Sequence, residues 1–292
     1  MIPKQLSKQF RVDNSKAFHL SAFKPDDTGG LGIKKDDGKE LLAASVEQLR
    51  DLQERLYAQD RWAVLIILQG MDTAGKDGVI EHVMSGVNPQ GVSVFSFKAP
   101  SAEELDHDFM WRTTMRLPER GRIGIFNRSY YEELLVPRVH PEILARQKLH
   151  PKLITRDIWK QRFADISAFE KYLAHNGTIV LKFFLNISKN EQRDRLLARL
   201  DLPEKRWKFS LGDIAERKLW LRYMAAYQDM IRNTASSAAP WHIVPADRKW
   251  FARLVVASAL IERMKSLNLK FPKADRAMLL QTKQIRKALS KD

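Results

Sequence analysis

The stretch Gly70-Met-Asp-Thr-Ala-Gly-Lys-Asp77 decides the fold, because an apolar run precedes it and a helical pattern follows it. The run covers residues 63–69, and the helical pattern covers residues 78–86. Strand, glycine loop and helix in this order are the context in which G-x-x-x-x-G-K binds phosphate. The glycines turn backbone N–H groups inward, and the helix adds the positive end of its dipole. The stretch predicts a phosphate-binding loop; the alternative is a glycine turn before an ordinary helix.

The loop supplies a first set of candidate phosphate-binding residues, which are Gly70, Ala74, Gly75, Lys76, Asp77 and Gly78. Lys76 can reach the bridging region between two phosphoryl groups and neutralise the charge that develops there. Asp77 stands where Ser or Thr usually binds Mg²⁺, and it is open between a metal role and a helix N-terminal charge. Asp72 is a second acid in the loop. Because Mg²⁺ prefers oxygen ligands, we predict that Asp72 is the metal-side residue.

Four more β-rich runs, each followed by a helical pattern, occupy residues 92–98, 122–127, 178–186 and 241–246. All five runs are apolar nearly throughout, as in strands that are buried on both faces of a parallel sheet. Strands that alternate with helices predict right-handed crossovers and a three-layer α/β/α sandwich around a parallel five-stranded sheet. In this fold ligands bind beyond the carboxyl ends of the strands.

The third run ends in Asn127, where many phosphate-loop enzymes have an Asp that orients Mg²⁺ through water. The amide oxygen of Asn127 can ligate a metal but brings no charge. Arg128 follows at the carboxyl end, where it can bind a phosphate bidentately; the alternative is a surface salt bridge. Glu132 and Glu133 suit the start of a helix, and a metal role for either is the second interpretation.

A basic segment at residues 189–222 has ten cations against six acids. Its pattern is a helix over residues 189–200 with Arg195 and Arg199 on one face, a basic loop, and a long helix from about Leu211. Nucleotide kinases have a closing lid at this place between the fourth and fifth strands, which brings arginines over the transferred phosphate and excludes water. The alternative is a solvated pair of charged helices.

The composition limits the classes of function. Of the 292 residues, 50 are Lys or Arg and 35 are Asp or Glu, so the net charge of +15 indicates a polyanionic partner. Cysteine is absent, which excludes disulfides and thiolate metal sites. The longest apolar run, residues 62–68, is too short to span a bilayer, and the N-terminus has no signal-peptide pattern. We therefore expect a cytoplasmic protein with an N-terminal arm (1–39), a kinase domain (40–272) and a C-terminal basic helix (273–292).

The loop and six further motifs together resemble the polyphosphate kinase 2 family. The further motifs are Asn88-Pro-Gln-Gly91, Ser96-Phe-Lys98, His107-Asp-Phe-x-Trp-Arg112, Gly124-Ile-Phe-Asn-Arg-Ser129, Trp207-Lys-Phe-Ser210 and Ala239-Pro-Trp-x-x-x-Pro-Ala-Asp-x-Lys-Trp250. The resemblance covers residues 20–270. It implies phosphoryl transfer from inorganic polyphosphate to a nucleotide, with Mg²⁺ (or Mn²⁺ in its place), on a P-loop kinase fold similar to thymidylate kinase with a helical lid. Members are commonly dimers or tetramers, so a homo-oligomer is expected.

The resemblance also implies roles for individual residues. Asp72, Lys76 and Arg128 correspond to the family's core acid, lysine and arginine. With Asn at position 127, the sequence resembles the subgroup that phosphorylates both AMP and ADP. The polyphosphate-facing lid residues are Arg199, Lys205, Arg206 and Lys208. The candidate nucleotide-binding residues are Lys98, Arg112, Arg116, Asn127 and Arg128, and the candidate metal ligands are Asp72, Asn127 and Glu132.

Three functions remain open from the sequence. The leading hypothesis is a polyphosphate-dependent AMP/ADP phosphotransferase that binds no specific nucleic acid and no membrane. The second is an ATP-dependent nucleotide or small-molecule kinase, which the phosphate loop alone cannot exclude. The third is a basic polyanion binder without catalysis.

Overall fold

The computed structural model describes residues 6–13, 17–274 and 276–290. At its centre is a six-stranded sheet of order β1-β6-β5-β2-β4-β3, and its strands are β1 (Arg11–Val12), β2 (Ala63–Gln69), β3 (Val92–Ser96), β4 (Ile123–Asn127), β5 (Thr178–Asn186) and β6 (Trp241–Pro245). β2 to β6 pair in parallel, which confirms the predicted parallel five-stranded sheet. β1 is an added edge strand that runs antiparallel to β6. Two residues are too few to show a period in the sequence.

The described helices surround this sheet. They are α1 (Lys35–Gln59), α2 (Lys76–Val83), α3 (Ala102–Leu105), α4 (Trp111–Thr114), α5 (Val136–Val139), α6 (Pro141–Ala145), α7 (Ile158–His175), α8 (Lys189–Asp201), α9 (Leu211–Lys218), α10 (Trp220–Thr234), α11 (Lys249–Ser266) and α12 (Arg276–Leu289). Short 3₁₀ helices lie at Leu6–Phe10, Leu20–Ala22, Pro89–Gly91, Tyr130–Leu134, Pro151–Leu153 and Pro203–Lys208. Across these segments, no helix is both long enough and apolar enough to cross a bilayer.

Two groups of helices form the outer layers. α11 packs on α1 and α2, whereas α7 packs on β5 and α10. Every residue of β2, β4 and β6 is buried, as expected for strands that are apolar nearly throughout. β3, at the edge of the sheet, is exposed at three of its five residues.

The predicted N-terminal arm packs against the domain. Its apolar side chains Leu6, Phe10 and Phe18 are buried, and the Phe10 ring meets Phe251 of α11 edge-to-face at 5.9 Å. Helix α1 begins at Lys35, inside the segment predicted to be arm. Residues 1–5 and 14–16 of the arm lie outside the described part of the chain. The predicted C-terminal basic helix is α12; residues 275, 291 and 292 of that segment are likewise outside it.

A buried ion pair supports the segment that follows β4. Lys182, in the middle of β5, has no solvent exposure, and its Nζ donates to Glu170 Oε2 at 2.6 Å and to the Tyr131 hydroxyl at 2.8 Å. Tyr130 and Tyr131 both donate their hydroxyls to Glu170 Oε1. Burial lowers the pKa of Lys182, and Glu170 opposes that shift. The pair therefore fixes the 3₁₀ helix Tyr130–Leu134 against α7 and β5.

The strand order determines where the site lies. β2 lies between β4 and β5, with Leu68 opposite Asn127 and Gln69 opposite Phe184. The glycine loop after β2 and the Asn127–Arg128 segment after β4 therefore meet at the same edge of the sheet.

Candidate active site

The glycine loop joins β2 to α2, as predicted. Gly70 packs closely on β5: a Cβ at this position would lie 3.0 Å from the Leu185 carbonyl oxygen. Gly75 has a φ of +106°, which is in the left-handed region that favours glycine. Lys76 is the first residue of α2, one position after Gly75. The backbone geometry therefore explains both glycines of the motif.

The Lys76 ammonium lies within the loop. The side chain is buried, and Nζ donates to the carbonyl oxygens of Gly70 at 2.7 Å and Met71 at 3.2 Å. Burial and the positive charge of Arg128 lower the pKa of Lys76 to about 8, while Asp72 and Glu132 oppose the shift. A buried ammonium in surroundings of low dielectric constant interacts strongly with any anion placed beside it.

Arg128 links the loop to the end of β4. Its backbone is left-handed, with φ at +65°, and its N–H donates to Leu68 O at 3.0 Å. The guanidinium donates to Asp72 Oδ1 at 2.6 Å and to Glu132 Oε2 at 3.0 Å. The charge of Glu132, more than that of Asp72, raises the pKa of Arg128. A non-glycine residue in this conformation is costly, and such strain is concentrated at functional sites.

Asp77 pairs with Asn127 across the sheet edge. Asn127 Nδ2 donates to Asp77 Oδ1 at 2.6 Å, so the acid that replaces the usual Ser or Thr connects α2 to β4. Sequence reasoning treated the two residues separately, because fifty positions of chain separate them.

The predicted metal ligands differ in how many of their oxygens are already engaged. Asp72 uses one carboxylate oxygen for Arg128. Glu132 Oε2 accepts from Arg128, and with the Gln69 amide oriented to satisfy its neighbours, Glu132 Oε1 accepts from Gln69 at 2.8 Å. Within the described segments, no three His, Cys, Asp or Glu side chains group to hold a metal. Mg²⁺ commonly takes one or two carboxylates, with substrate phosphates and water as its other ligands, and Asp72 fits that pattern.

Arg195 of α8 is buried, whereas the sequence placed it with Arg199 on one face of a basic lid helix. Nη1 donates to Thr73 O at 2.9 Å and Ala74 O at 3.0 Å, and Nη2 donates to Ala246 O at 2.6 Å. Arg195 therefore holds the glycine loop against the turn between β6 and α11. The contacts join residues more than fifty positions apart, and no sequence spacing indicates them.

The lid consists of α8, the 3₁₀ helix Pro203–Lys208 and α9. The single long helix predicted from Leu211 is divided at Leu219 into α9 and α10. Of the predicted polyphosphate-facing residues, Arg199 lies 3.5 Å from Asp213, Arg206 donates to Leu200 O, and Lys205 is exposed. The side chain of Lys208 lies outside the described part of the structure.

Two acids of the lid face the site and were missed by sequence reasoning. Burial and the charge of Asp72 raise the pKa of Asp213. Glu216 accepts from the Tyr223 hydroxyl and lies 3.0 Å from His140 Nε2. Their spacing of three on α9 was the available signal, because it places both on one face of a helix.

A cavity of about 630 Å³ opens beside the loop. Asp72, Arg128, Lys98 and Arg112 line it together with Glu216 of the lid. Helix α10 contributes Tyr223 and Tyr227, and the remaining walls include Phe97, Pro137, His140 and Ile143. The structure therefore brings three of the predicted nucleotide-binding residues to one cavity next to the phosphate loop.

Arg112 is held in this wall by its neighbours. Nη1 donates to Lys98 O at 2.7 Å, and Nη2 lies 3.5 Å from Glu133 Oε1. Burial raises the pKa of Glu133, and the charges of Arg112 and Arg162 oppose that rise. Asn127 and Arg116 are not part of the cavity lining. Arg116 is exposed, with its guanidinium 5.5 Å from the centre of the Phe95 ring on the edge strand.

Comparisons with known proteins agree with this geometry. The family model described as Polyphosphate kinase 2 matches residues 32–272. An ADP-polyphosphate phosphotransferase from Rhodopseudomonas palustris is 50% identical over 286 residues, which cover 98% of this chain and 99% of the relative. An AMP/ADP-polyphosphate phosphotransferase from Meiothermus ruber is 44% identical over 270 residues, covering 92% and 97% of the two chains. The crystal structure of polyphosphate kinase 2 from Arthrobacter aurescens TC1 superposes with a TM-score of 0.90 at 41% identity, covering 98% of both chains.

Proposed function

The chain belongs to the polyphosphate kinase 2 family, and from this premise we propose that it transfers the terminal phosphoryl group of inorganic polyphosphate to AMP or ADP. The observation that carries the proposal is the cavity beside the phosphate loop, which is lined by Asp72 of the loop and by Arg128 at the end of β4. The phosphate loop offers a cradle for a phosphate chain, and the cavity offers a pocket large enough for a nucleotide.

The reaction needs positioning and electrostatic stabilisation more than a protein nucleophile. An oxygen of the acceptor phosphate attacks the terminal phosphorus of the polyphosphate chain. A new P–O bond forms while the bond to the bridging oxygen breaks, so the chain becomes one unit shorter and the nucleotide one unit longer. Lys76 neutralises charge on the bridging oxygen, and Arg128 neutralises the transferred group.

Asp72 and Glu132 orient the Arg128 guanidinium in this scheme, because both accept hydrogen bonds from it. Lys98 and Arg112, which also line the cavity, hold the acceptor phosphate. The lid excludes water, which would otherwise take the phosphoryl group.

We propose Mg²⁺ as the cofactor, with Mn²⁺ as its substitute. Asp72 and the amide oxygen of Asn127 are the protein groups that would hold it, and Glu132 is the weaker candidate because both its oxygens are engaged. When bound, the ion neutralises charge on the phosphate oxygens. If this is correct, Asp72→Asn raises the Mg²⁺ concentration that gives half-maximal activity, whereas Asp229→Asn, outside the cavity lining, leaves it unchanged.

The acceptor can be AMP, ADP or both. The two relatives described above are named for ADP alone and for AMP and ADP. Purified protein should be incubated with long-chain polyphosphate, Mg²⁺ and either nucleotide, and the products separated. New ADP from AMP, or new ATP from ADP, supports the proposal; activity that needs ATP as the donor and ignores polyphosphate contradicts it. The oligomeric state and the cytoplasmic location stay predictions.

A further inference from the structure

Arg112, assigned above to the acceptor phosphate, makes only long contacts with acids of the described segments. Its short hydrogen bond goes to a neutral group, the Lys98 carbonyl oxygen, at 2.7 Å. Two carboxylates lie near the guanidinium: Glu133 Oε1 is 3.5 Å from Nη2, and Glu104 Oε2 is 3.7 Å from Nη1. In a tight pair between arginine and a carboxylate these distances are about 2.7–2.9 Å. The charge of Arg112 is therefore only partly neutralised, and it stays available to an anion.

Glu104 is held away from Arg112 by the helix to which it belongs. Its Oε2 accepts the backbone N–H of Ser101 at 2.8 Å, in the capping box at the start of α3. A capping box fixes the acid side chain against the backbone of the cap residue. This acid is therefore anchored by local structure and does not close on the arginine.

Glu133 is the acid placed to neutralise Arg112, because both side chains are buried in the same wall. Its second oxygen, Oε2, is engaged by other groups: Gln147 Nε2 donates to it, and Arg162 Nη1 lies 3.8 Å from it. Arg162 also donates to the Glu133 carbonyl oxygen at 3.0 Å and to Gln147 Oε1. The carboxylate is thus shared among three partners, and its contact with Arg112 is the long one.

Arg162 is held in place by helix α7 and by the aromatic rings around it. It is 4% exposed, and its guanidinium lies 4.8 Å from the centre of the Phe109 ring and 5.6 Å from that of Trp159. Such contacts between a cation and aromatic rings are favourable, above all where water is excluded. Arg162 is not among the described residues that line the nucleotide cavity, whereas Glu133 and Gln147 are. Any influence of Arg162 on a bound nucleotide therefore passes through its neighbours.

We propose that Arg162 and Gln147 are positioning residues that keep the charge of Arg112 free for the acceptor phosphate. They do so by holding the Glu133 carboxylate through its second oxygen. The inference rests on the proposed function, which assigns Arg112 to that phosphate. A carboxylate that closed on Arg112 would form a bidentate pair, and the phosphate would then have to displace it. Neither positioning residue takes part in the chemistry, so they affect the binding of the nucleotide and not the rate of transfer.

The test is Gln147→Met, which keeps the length of the side chain and removes both hydrogen bonds. With saturating polyphosphate and fixed Mg²⁺, the KM for the accepted nucleotide should rise about fivefold, while kcat and the KM for polyphosphate stay unchanged. Isothermal titration calorimetry with ADP and Mg²⁺, without polyphosphate, should show the same loss of affinity. Gln161→Met makes the same change at an exposed position of α7 and should leave every constant unchanged.

A double-mutant cycle with Glu133→Gln separates positioning from direct contact, because Gln147 itself lines the cavity. Glu133→Gln keeps the shape of the side chain and removes the charge that would neutralise Arg112. If Gln147 acts through this carboxylate, Gln147→Met has no further effect in the Glu133→Gln background, and the double variant matches Glu133→Gln within about twofold. If Gln147 instead touches the nucleotide, the loss of affinity appears in both backgrounds.

Arg162→Lys tests the other positioning residue. Lysine keeps the charge, but it lacks the planar fork that reaches both Glu133 and Gln147. The KM for the nucleotide should again rise about fivefold, and the combination with Gln147→Met should be no worse than either change alone, because both act on one carboxylate. Thermal unfolding shows whether this buried variant is folded; if it is not, the cycle at Gln147 decides the proposal by itself.

The outcomes separate the two proposals. If the wild type uses no polyphosphate, the proposed function fails, while the titrations with ADP still test the positioning residues. An unchanged nucleotide affinity in Gln147→Met overturns the inference, and so does a loss that persists in the Glu133→Gln background. An equal rise in the KM for nucleotide and for polyphosphate also overturns it, because it would give Gln147 a role in the fold.

Discussion

Lys76 in the phosphate loop is 9% exposed, whereas Trp207 and Leu211 in the lid are 77% and 80% exposed. The loop, residues 70–78, and the end of β4, residues 127–128, form the floor of the site. Buried strands hold this floor, and Arg195 clamps it. The lid comprises residues 189–218, and beyond α8, which Arg195 anchors to the floor, it presents exposed side chains such as Trp207 and Leu211 to solvent. A few buried contacts leave a segment free to open at low free-energy cost. The floor is built to hold charges in fixed places, and the lid is built to close over them.

The sharpest test of this contrast is Lys76→Met. The variant removes the charge that the floor presents to the bridging oxygen, and kcat should fall about 10³-fold. Because the buried ammonium is disfavoured by its surroundings, the unfolding temperature should stay the same or rise. Steady-state kinetics and thermal unfolding measure the two quantities. A large loss of stability together with the loss of activity would show that Lys76 has a structural role instead.

The second test is Arg128→Lys. Lysine keeps the charge but cannot bridge Asp72 and Glu132 with a planar fork, so kcat/KM should fall about 10²-fold. Arg138→Lys is the matched control, since Arg138 pairs with Asp229 and is not part of the cavity lining. Equal activities for the two variants would contradict the role given to Arg128.

The same contrast explains what could be predicted from the sequence. Lys76, Arg128 and the five parallel strands follow from local patterns, since buried runs and a glycine loop leave a clear signal. Arg195, by contrast, looks like one more lid cation in the sequence. Its contacts with Thr73 and Ala246 join segments that are far apart in the chain. Helical periodicity indicates only the face of a helix on which a residue lies, and not its partners in distant segments. For the same reason the pair of Asp77 with Asn127 could not be foreseen.

The lid provides a smaller effect. Tyr223→Phe removes the hydroxyl that donates to Glu216, the residue that also contacts His140 beyond the lid. Losing one such hydrogen bond costs about 1 kcal/mol, so the KM for the nucleotide should rise about fivefold while the free energy of unfolding changes little. Tyr172→Phe, at an exposed position of α7, is the control. If the variant loses stability but keeps its KM, the contact belongs to the fold and not to lid closure.

The pH profile gives the smallest effect and tests the floor alone. The pKa of Lys76 is about 8 in the folded protein, against 10.5 for an ordinary lysine. Above pH 8 the free enzyme loses the ammonium, so kcat/KM should halve near pH 8 and then fall about tenfold for each further unit. Between pH 8 and 10.5 the unfolded chain binds this proton and the folded protein does not, so the contribution of Lys76 to stability rises with pH. Arg keeps its charge throughout this range, and residual activity of Lys76→Arg should show no such inflection. An inflection at the same pH in that variant would assign the titration to another group.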